Sequence, residues 1–266
     1  MEPGLHERYQ EEGQLEYLRN THEDLITDGM QLISDAYLAP LVQVSRESGF
    51  TCKGAAPEGP NSLKLINLIS EYKPDLVIMG AWGHGRVPES TLGSLTERVL
   101  LHAHKSDILI MRAPWSFKSQ PIVVGVDGSQ CASGALQAAV SLAASFKADL
   151  HGVAVYDPFF HLGVFKTIAE SLPEQARQRF NFPAQEKLHD EIIDRGLEKI
   201  YAEGLEQAAL YARMHGLEMK STVLAGKVFP QIYHYAAMNN AGLVVTGRWG
   251  LHQQPGSLIG SNAHNL

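Results

Sequence analysis

Two stretches of the chain share a spacing suited to holding an anion: Gly80-Ala-Trp-Gly83 and Gly247-Arg-Trp-Gly250 are each followed by nine residues and then by Gly-Ser, at Gly93-Ser94 and Gly260-Ser261. Each follows a short apolar run, Asp75 to Met79 or Gly242 to Thr246. The first glycine lets the chain leave a strand tightly, and the second removes a side chain where a ribose or phosphate passes. The third opens a helix whose unpaired N–H groups and dipole favour negative charge. Ser94 and Ser261 add hydroxyl donors, and Thr246, which closes the strand before Gly247, is counted with the same rim. The chemistry this pattern fits is recognition of phosphate.

A second element is Gly125-Val126-Asp127-Gly128-Ser129, placed after the apolar run Ile122 to Val126. Open α/β sheets bind ligands at the carboxyl ends of their strands, so Asp127 is placed to accept hydrogen bonds from ribose hydroxyls or an adenine amino group. Asp127 is equally suited to capping the helix that follows, and Ser129 competes for that cap. Other candidates carry less. His22-Glu23-Asp24 and His189-Asp190-Glu191 have metal-ligand chemistry, but neighbouring helix positions do not face one another, so a solvated first turn is expected. Trp82 and Trp249 either pack over a base or cover the sheet edge, and Cys131 is expected as a small buried side chain. Among 12 histidines no Ser/His/Asp or Cys/His arrangement stands out.

The elements that must hold these residues occur twice. An offset of 167 (247 − 80 = 167) maps the first glycine set onto the second, and also His22 onto His189, Gly29 onto Gly196, Gly49 onto Gly216 and Gly59 onto Gly226. These recurring glycines are expected in loops, with Gly49 and Gly216 as helix C-caps. The apolar runs at Asp75–Met79, Ile108–Met111, Ile122–Val126, Leu150–Val155 and Gly242–Thr246 read as buried strands. Helical spacing covers Ser62–Tyr72, Cys131–Phe146, Phe229–Asn239 and the long stretch Glu186–His215, whose copy spans Leu18–Ser48 and which is one helix or two broken at Gly196 or Gly204. Strands alternating with helices imply a parallel sheet covered on both faces.

Prolines 114 and 121 bound an aperiodic segment that reads as a linker between domains 1–114 and 120–266. Asp157–Pro183 reads as an insert. Both copies are expected to be incomplete: the first lacks a strand matching Ile122–Val126, and the second lacks one matching Ile108–Met111. Either the chain is part of a longer one, or another chain supplies the strands that would otherwise leave buried backbone unpaired.

Composition narrows the partners. Hydrophobic residues at 44% and charged residues at 19% allow a real core. A formal charge of −7 gives no basic footprint for nucleic acid. No apolar run reaches the roughly 18 residues of a membrane span, and the polar, acidic start is no signal peptide. Cys52 and Cys131 have no disulfide or zinc spacing. By elimination, a cytoplasmic protein is expected.

Val126-Asp127-Gly128-Ser129 combined with the Gly247, Gly250, Gly260-Ser261 spacing resembles the universal stress protein family, in its nucleotide-binding branch. Gly93-Ser94-Leu95-Thr96-Glu97-Arg98-Val99-Leu100, ending in Ile108–Met111, is similar to the closing helix and last strand of that family. The resemblance implies two Rossmann-like α/β domains of the adenine nucleotide alpha hydrolase type, with a parallel sheet in the order 3-2-1-4-5. It also implies ATP or AMP, with or without Mg²⁺, at the sheet's carboxyl edge, and domains paired within the chain or in a homodimer. Carried across by position, Asp127 holds the adenosine and Val155 lines the adenine. Gly247 and Gly250 meet ribose and phosphate, while Gly260, Ser261 and Asn262 receive phosphates. Gly80, Gly83, Gly93 and Ser94 form the matching first site. Asn262-Ala263-His264-Asn265 departs from the apolar-Thr-Glu-Asn pattern, and Arg248-Trp249 is bulky beside the loop. The implied role is a regulatory protein of the stress response that signals to a protein partner. A slow ATPase and a dimeric scaffold without nucleotide are the alternatives. No catalytic base or Mg²⁺ carboxylate favours an enzyme.

Overall fold

The structure, a computed structural model, describes residues 5–83, 85, 90–103, 105–113, 120–158, 173, 195–251 and 256–266. Most of the expected linker and insert, and His189–Glu191, lie outside these residues. The chain folds as two compact units, Met1–Asp75 and Leu76–Leu266. The packing boundary therefore falls before the first copy's last strands, which belong to the same unit as the second copy.

In the first unit, α1 spans Leu5–Glu47 and α2 spans Asn61–Tyr72. Helix α1 runs through Gly29 and Pro40, so Gly29 is not in a loop; a single glycine costs a helix interior only about 1 kcal/mol. His22–Asp24 consequently sit in mid-helix rather than in a first turn. The helix ends at Gly49, whose φ of +84° suits glycine, and Phe50 N–H donates to the Ser45 carbonyl. The same cap closes the equivalent helix at Gly216, with φ +78° and Leu217 N–H on the Ala212 carbonyl.

In the second unit, β1 (Leu76–Gly80) pairs in parallel with β2 (Asp107–Met111), and α3 (Ser94–His102) lies between them in the chain. A separate sheet runs β5-β4-β3-β6, from Met219–Ala225, Leu150–Tyr156, Ile122–Gly125 and Leu243–Val245, with every pair parallel. In family order this sheet reads 3-2-1-4, and β1–β2 is a 4-5 pair; the five-strand order is whole in neither. Strand β5, Met-Lys-Ser-Thr-Val-Leu-Ala, is a strand that the apolar runs do not mark. Its first-copy counterpart, residues 52–58, is not a strand, and among the described residues it has no ladder partner such as β4 gives β5.

Ile122, Val123 and Val124 are buried because β3 is covered on both faces. On one side Ile122, Val124, Leu150 and Ala154 pack with Leu136, Ala139 and Val140 of α4 (Gln130–Phe146) and with Leu205, Ala208 and Ala212 of α5 (Arg195–Met214). Gly196 and Gly204 lie within α5, again helical rather than looped. On the other side Val123, Val153 and Val155 pack with Ile232 of α6 (Val228–Met238). A short helix α7 spans Ser261–Asn265. Among the described residues no helix is long and apolar enough to cross a membrane.

Candidate functional site

The carboxyl end of β3 divides its labour among three residues. Asp127 Oδ1 accepts from Ser129 N–H at 2.9 Å, Gly128 takes φ +81°, and Ser129 Oγ accepts from Ala132 N–H at 3.1 Å as the cap of α4. Ser129, not Asp127, is therefore the cap, and the second Asp127 oxygen is released to reach the glycine loop, where Oδ2 accepts from Leu251 N–H at 2.9 Å. A carboxylate has about four acceptor positions, so each oxygen keeps capacity for a hydroxyl.

Gly247 and Gly250 meet this same end. A Cβ on Gly247 would lie 2.7 Å from the Cys131 carbonyl carbon and 2.9 Å from Ala132 N, inside the first turn of α4. A Cβ on Gly250 would lie 2.7 Å from Asp127 Oδ2. Cys131 is half-buried against Gly247. Thr246 packs its methyl toward Gly125, 3.6 Å from where a Cβ there would stand. Strand pairing ends with Gly125 opposite Val153, so Val155 stands level with Asp127, its side chain 6% exposed in the α6-side core.

The first loop repeats only part of this. Gly93 N–H donates to the Ala81 carbonyl at 2.7 Å, and Gly260 N–H to the Arg248 carbonyl at 2.8 Å. Both third glycines thus use their amides to close the loop itself, which leaves Ser94 and Leu95 or Ser261 and Asn262 as first-turn donors. A Cβ on Gly93 or Gly260 would lie 3.3 or 3.2 Å from that same carbonyl. Trp82 Nε1 donates to Ser90 O and Trp249 Nε1 to Ser257 O, each at 3.1 Å. The indoles brace their loops. At Gly83, by contrast, an added Cβ meets nothing within 4 Å, and no described residue plays the part of Asp127 there. Thr96, 4% exposed, instead bonds the Gly80 carbonyl at 2.8 Å, a tie that Ala263 cannot make in the second copy.

Two residues near the site carry no distinguishing signal in the sequence. The Tyr201 hydroxyl is pushed up by burial and, secondarily, by the negative charge of Asp127, and its ring lies 6.2 Å from that of Tyr156 at the end of β4. In the sequence Tyr201 is one more apolar position on an amphipathic helix. Lys227, which precedes α6, is held 2.7 Å from Asp157. Arg248 turns away from the rim: its guanidinium donates to the carbonyls of Leu258 (3.0 Å), Ala103 (3.3 Å), Leu101 (3.2 Å) and Leu100. Burial pulls its pKa down, and the four carbonyls give the partly buried guanidinium its acceptors. Among the described residues no group of three or more His, Cys, Asp or Glu side chains could hold a metal.

The model of the universal stress protein family matches the chain twice, over residues 7–112 and 118–266. The chain belongs to the universal stress protein family. Its two copies are tandem members of that family, and the α/β folding with parallel sheets agrees. Among solved structures, a functionally unknown protein from Pseudomonas aeruginosa PAO1 is similar at 17% identity and a TM-score of 0.60, covering 87% of this chain and 73% of that one. A universal stress protein from Archaeoglobus fulgidus DSM 4304 is similar at 18% identity and a TM-score of 0.55, covering 90% and 75%. At these identities the likeness concerns the fold. No curated protein matches the sequence.

Proposed function

We propose that this tandem universal stress protein binds ATP or AMP at the carboxyl rim of the β5-β4-β3-β6 sheet and serves as a regulatory protein of the stress response. The observation that carries the reading is the junction of Asp127 with the glycine loop, where Oδ2 reaches Leu251 N–H at 2.9 Å. One carboxylate thereby joins the end of the central strand to the loop that leads to Gly260 and Ser261. The residues present fit the ligand: Asp127 retains acceptor capacity for ribose hydroxyls, Gly247 and Gly250 let the loop approach α4 and that carboxylate closely, and Ser261 and Asn262 offer first-turn amides.

ATP would supply an adenine, a ribose and a chain of phosphates, and this chain's residues bind and orient them. Among the described residues no base stands beside the proposed phosphate path, and the reading is therefore one of binding. Calorimetric titration with ATP and AMP, with and without Mg²⁺, tests the reading. Saturable heat that weakens in Asp127→Ala is expected; no heat at millimolar nucleotide contradicts it and leaves the scaffold.

A further inference from the structure

Arg248 stands immediately after Gly247, where an arginine beside a phosphate loop would ordinarily serve the phosphate. Here four of its five N–H donors are engaged elsewhere. Nε donates to the Leu258 carbonyl within its own loop, while Nη1 and Nη2 donate to the carbonyls of Ala103, Leu101 and Leu100, at the end of α3. Those carbonyls belong to the last turn of a helix, which lacks intrahelical partners and carries the negative end of the dipole. The guanidinium lies over Trp249, 5.4 Å from the ring centroid, and the Arg248 carbonyl accepts the Gly260 N–H. One residue thus closes the second loop through its backbone and fastens that loop to a first-copy helix through its side chain. Glu97 and His264, equivalent positions in the two copies, meet at 3.7 Å across the same contact. The fastening is one-sided, because the residue equivalent to Arg248 is Ala81, 1% exposed.

We propose that Arg248 is a positioning residue for the second site, and that through it the first copy's helix α3 sets how tightly that site holds a nucleotide. The proposal rests on the nucleotide reading above. A planar fork with fixed donors sets the separation of the two elements it bridges, so the loop carrying Gly250 and Gly260 takes its shape from both copies. Movement of α3 is then felt at the second loop, and a ligand there is felt at α3.

The test uses the full chain and its Arg248→Ala and Arg248→Lys variants, with ATP as the probe. In the absence of nucleotide, Arg248→Ala is expected to speed amide hydrogen exchange both at residues 258–260 and at the last turn of α3, residues 99–103. ATP affinity should fall about tenfold, the effect of losing a charged hydrogen-bond group. Arg248→Lys, which keeps the charge and loses the fork, should fall between. ATP added to the unaltered protein should slow exchange at residues 99–103, and added to Arg248→Ala should not. Unaltered affinity in Arg248→Ala, or residues 99–103 indifferent to ATP in a protein that binds it, overturns the coupling alone. Absence of ATP binding by the unaltered protein overturns the nucleotide reading as well, whereas unchanged exchange at both segments in Arg248→Ala overturns the clamp whatever the ligand.

Discussion

The loop from Gly80 to Gly93 and the loop from Gly247 to Gly260 have the same glycine spacing, the same indole brace and the same closing hydrogen bond, yet the first two glycines of each meet different surroundings. Gly93 and Gly260 are needed alike, because each third glycine lies against the carbonyl that accepts its own amide. Gly247 and Gly250 are additionally pressed by α4 and Asp127, whereas Gly80 has only the Trp82 carbonyl 3.4 Å from an added Cβ and Gly83 has nothing. A repeated motif therefore reports two layers: loop closure, present twice, and a strand end with its carboxylate, present once among the described residues. Among the described residues, only the second loop is built against a carboxylate, that of Asp127.

Substitution separates those layers. The largest effect is expected from Gly247→Ala, which drives a methyl into the backbone of α4 and should destabilise the protein by about 2–3 kcal/mol, as overpacking does. Gly80→Ala should stay within about 0.5 kcal/mol. Urea midpoints measure both, and equal losses would erase the distinction between the loops.

A double-mutant cycle sharpens it further. Gly250→Ala, whose methyl meets the Asp127 carboxylate, should lose about 1–2 kcal/mol in the unaltered protein and almost nothing once Asp127→Ala has cleared the space. Gly83→Ala should be neutral in both backgrounds. A Gly250 penalty that survives removal of Asp127 would mean the glycine answers to something other than the carboxylate.

The smallest effects should be the equal ones. Trp82→Phe and Trp249→Phe each remove one indole hydrogen bond at 3.1 Å, worth about 1 kcal/mol. Thermal unfolding in which one variant loses several times as much as the other would show that the braces are not equivalent.

The sequence made these strands legible because β3, covered on both sides, leaves an unbroken apolar run and β4 one interrupted only by His151. It hid β5, an edge strand in which Lys220, Ser221 and Thr222 interrupt the apolar residues and most positions stay partly exposed. Gly49 and Gly216 announced their caps, since a left-handed residue favours glycine; Gly29 and Gly196 misled, because a helix tolerates one glycine at modest cost. At the site, spacing brought out the glycines and Asp127 but could not divide the work between Asp127 and Ser129, which depends on which side chain reaches the helix amide. The grip of Arg248 on α3 joins residues 145 or more positions apart and has no local signal. Tyr201 was hidden for the same reason, its nearness to Asp127 arising only when α5 packs on the sheet.

The most direct test is an amide chemical-shift titration of the full chain with ATP. Nucleotide recognition at the second loop predicts saturable shifts at residues 127–129, 247–251 and 260–262, larger than any at residues 80–83 and 93–95. Shifts confined to the first loop, or none at either, would contradict it.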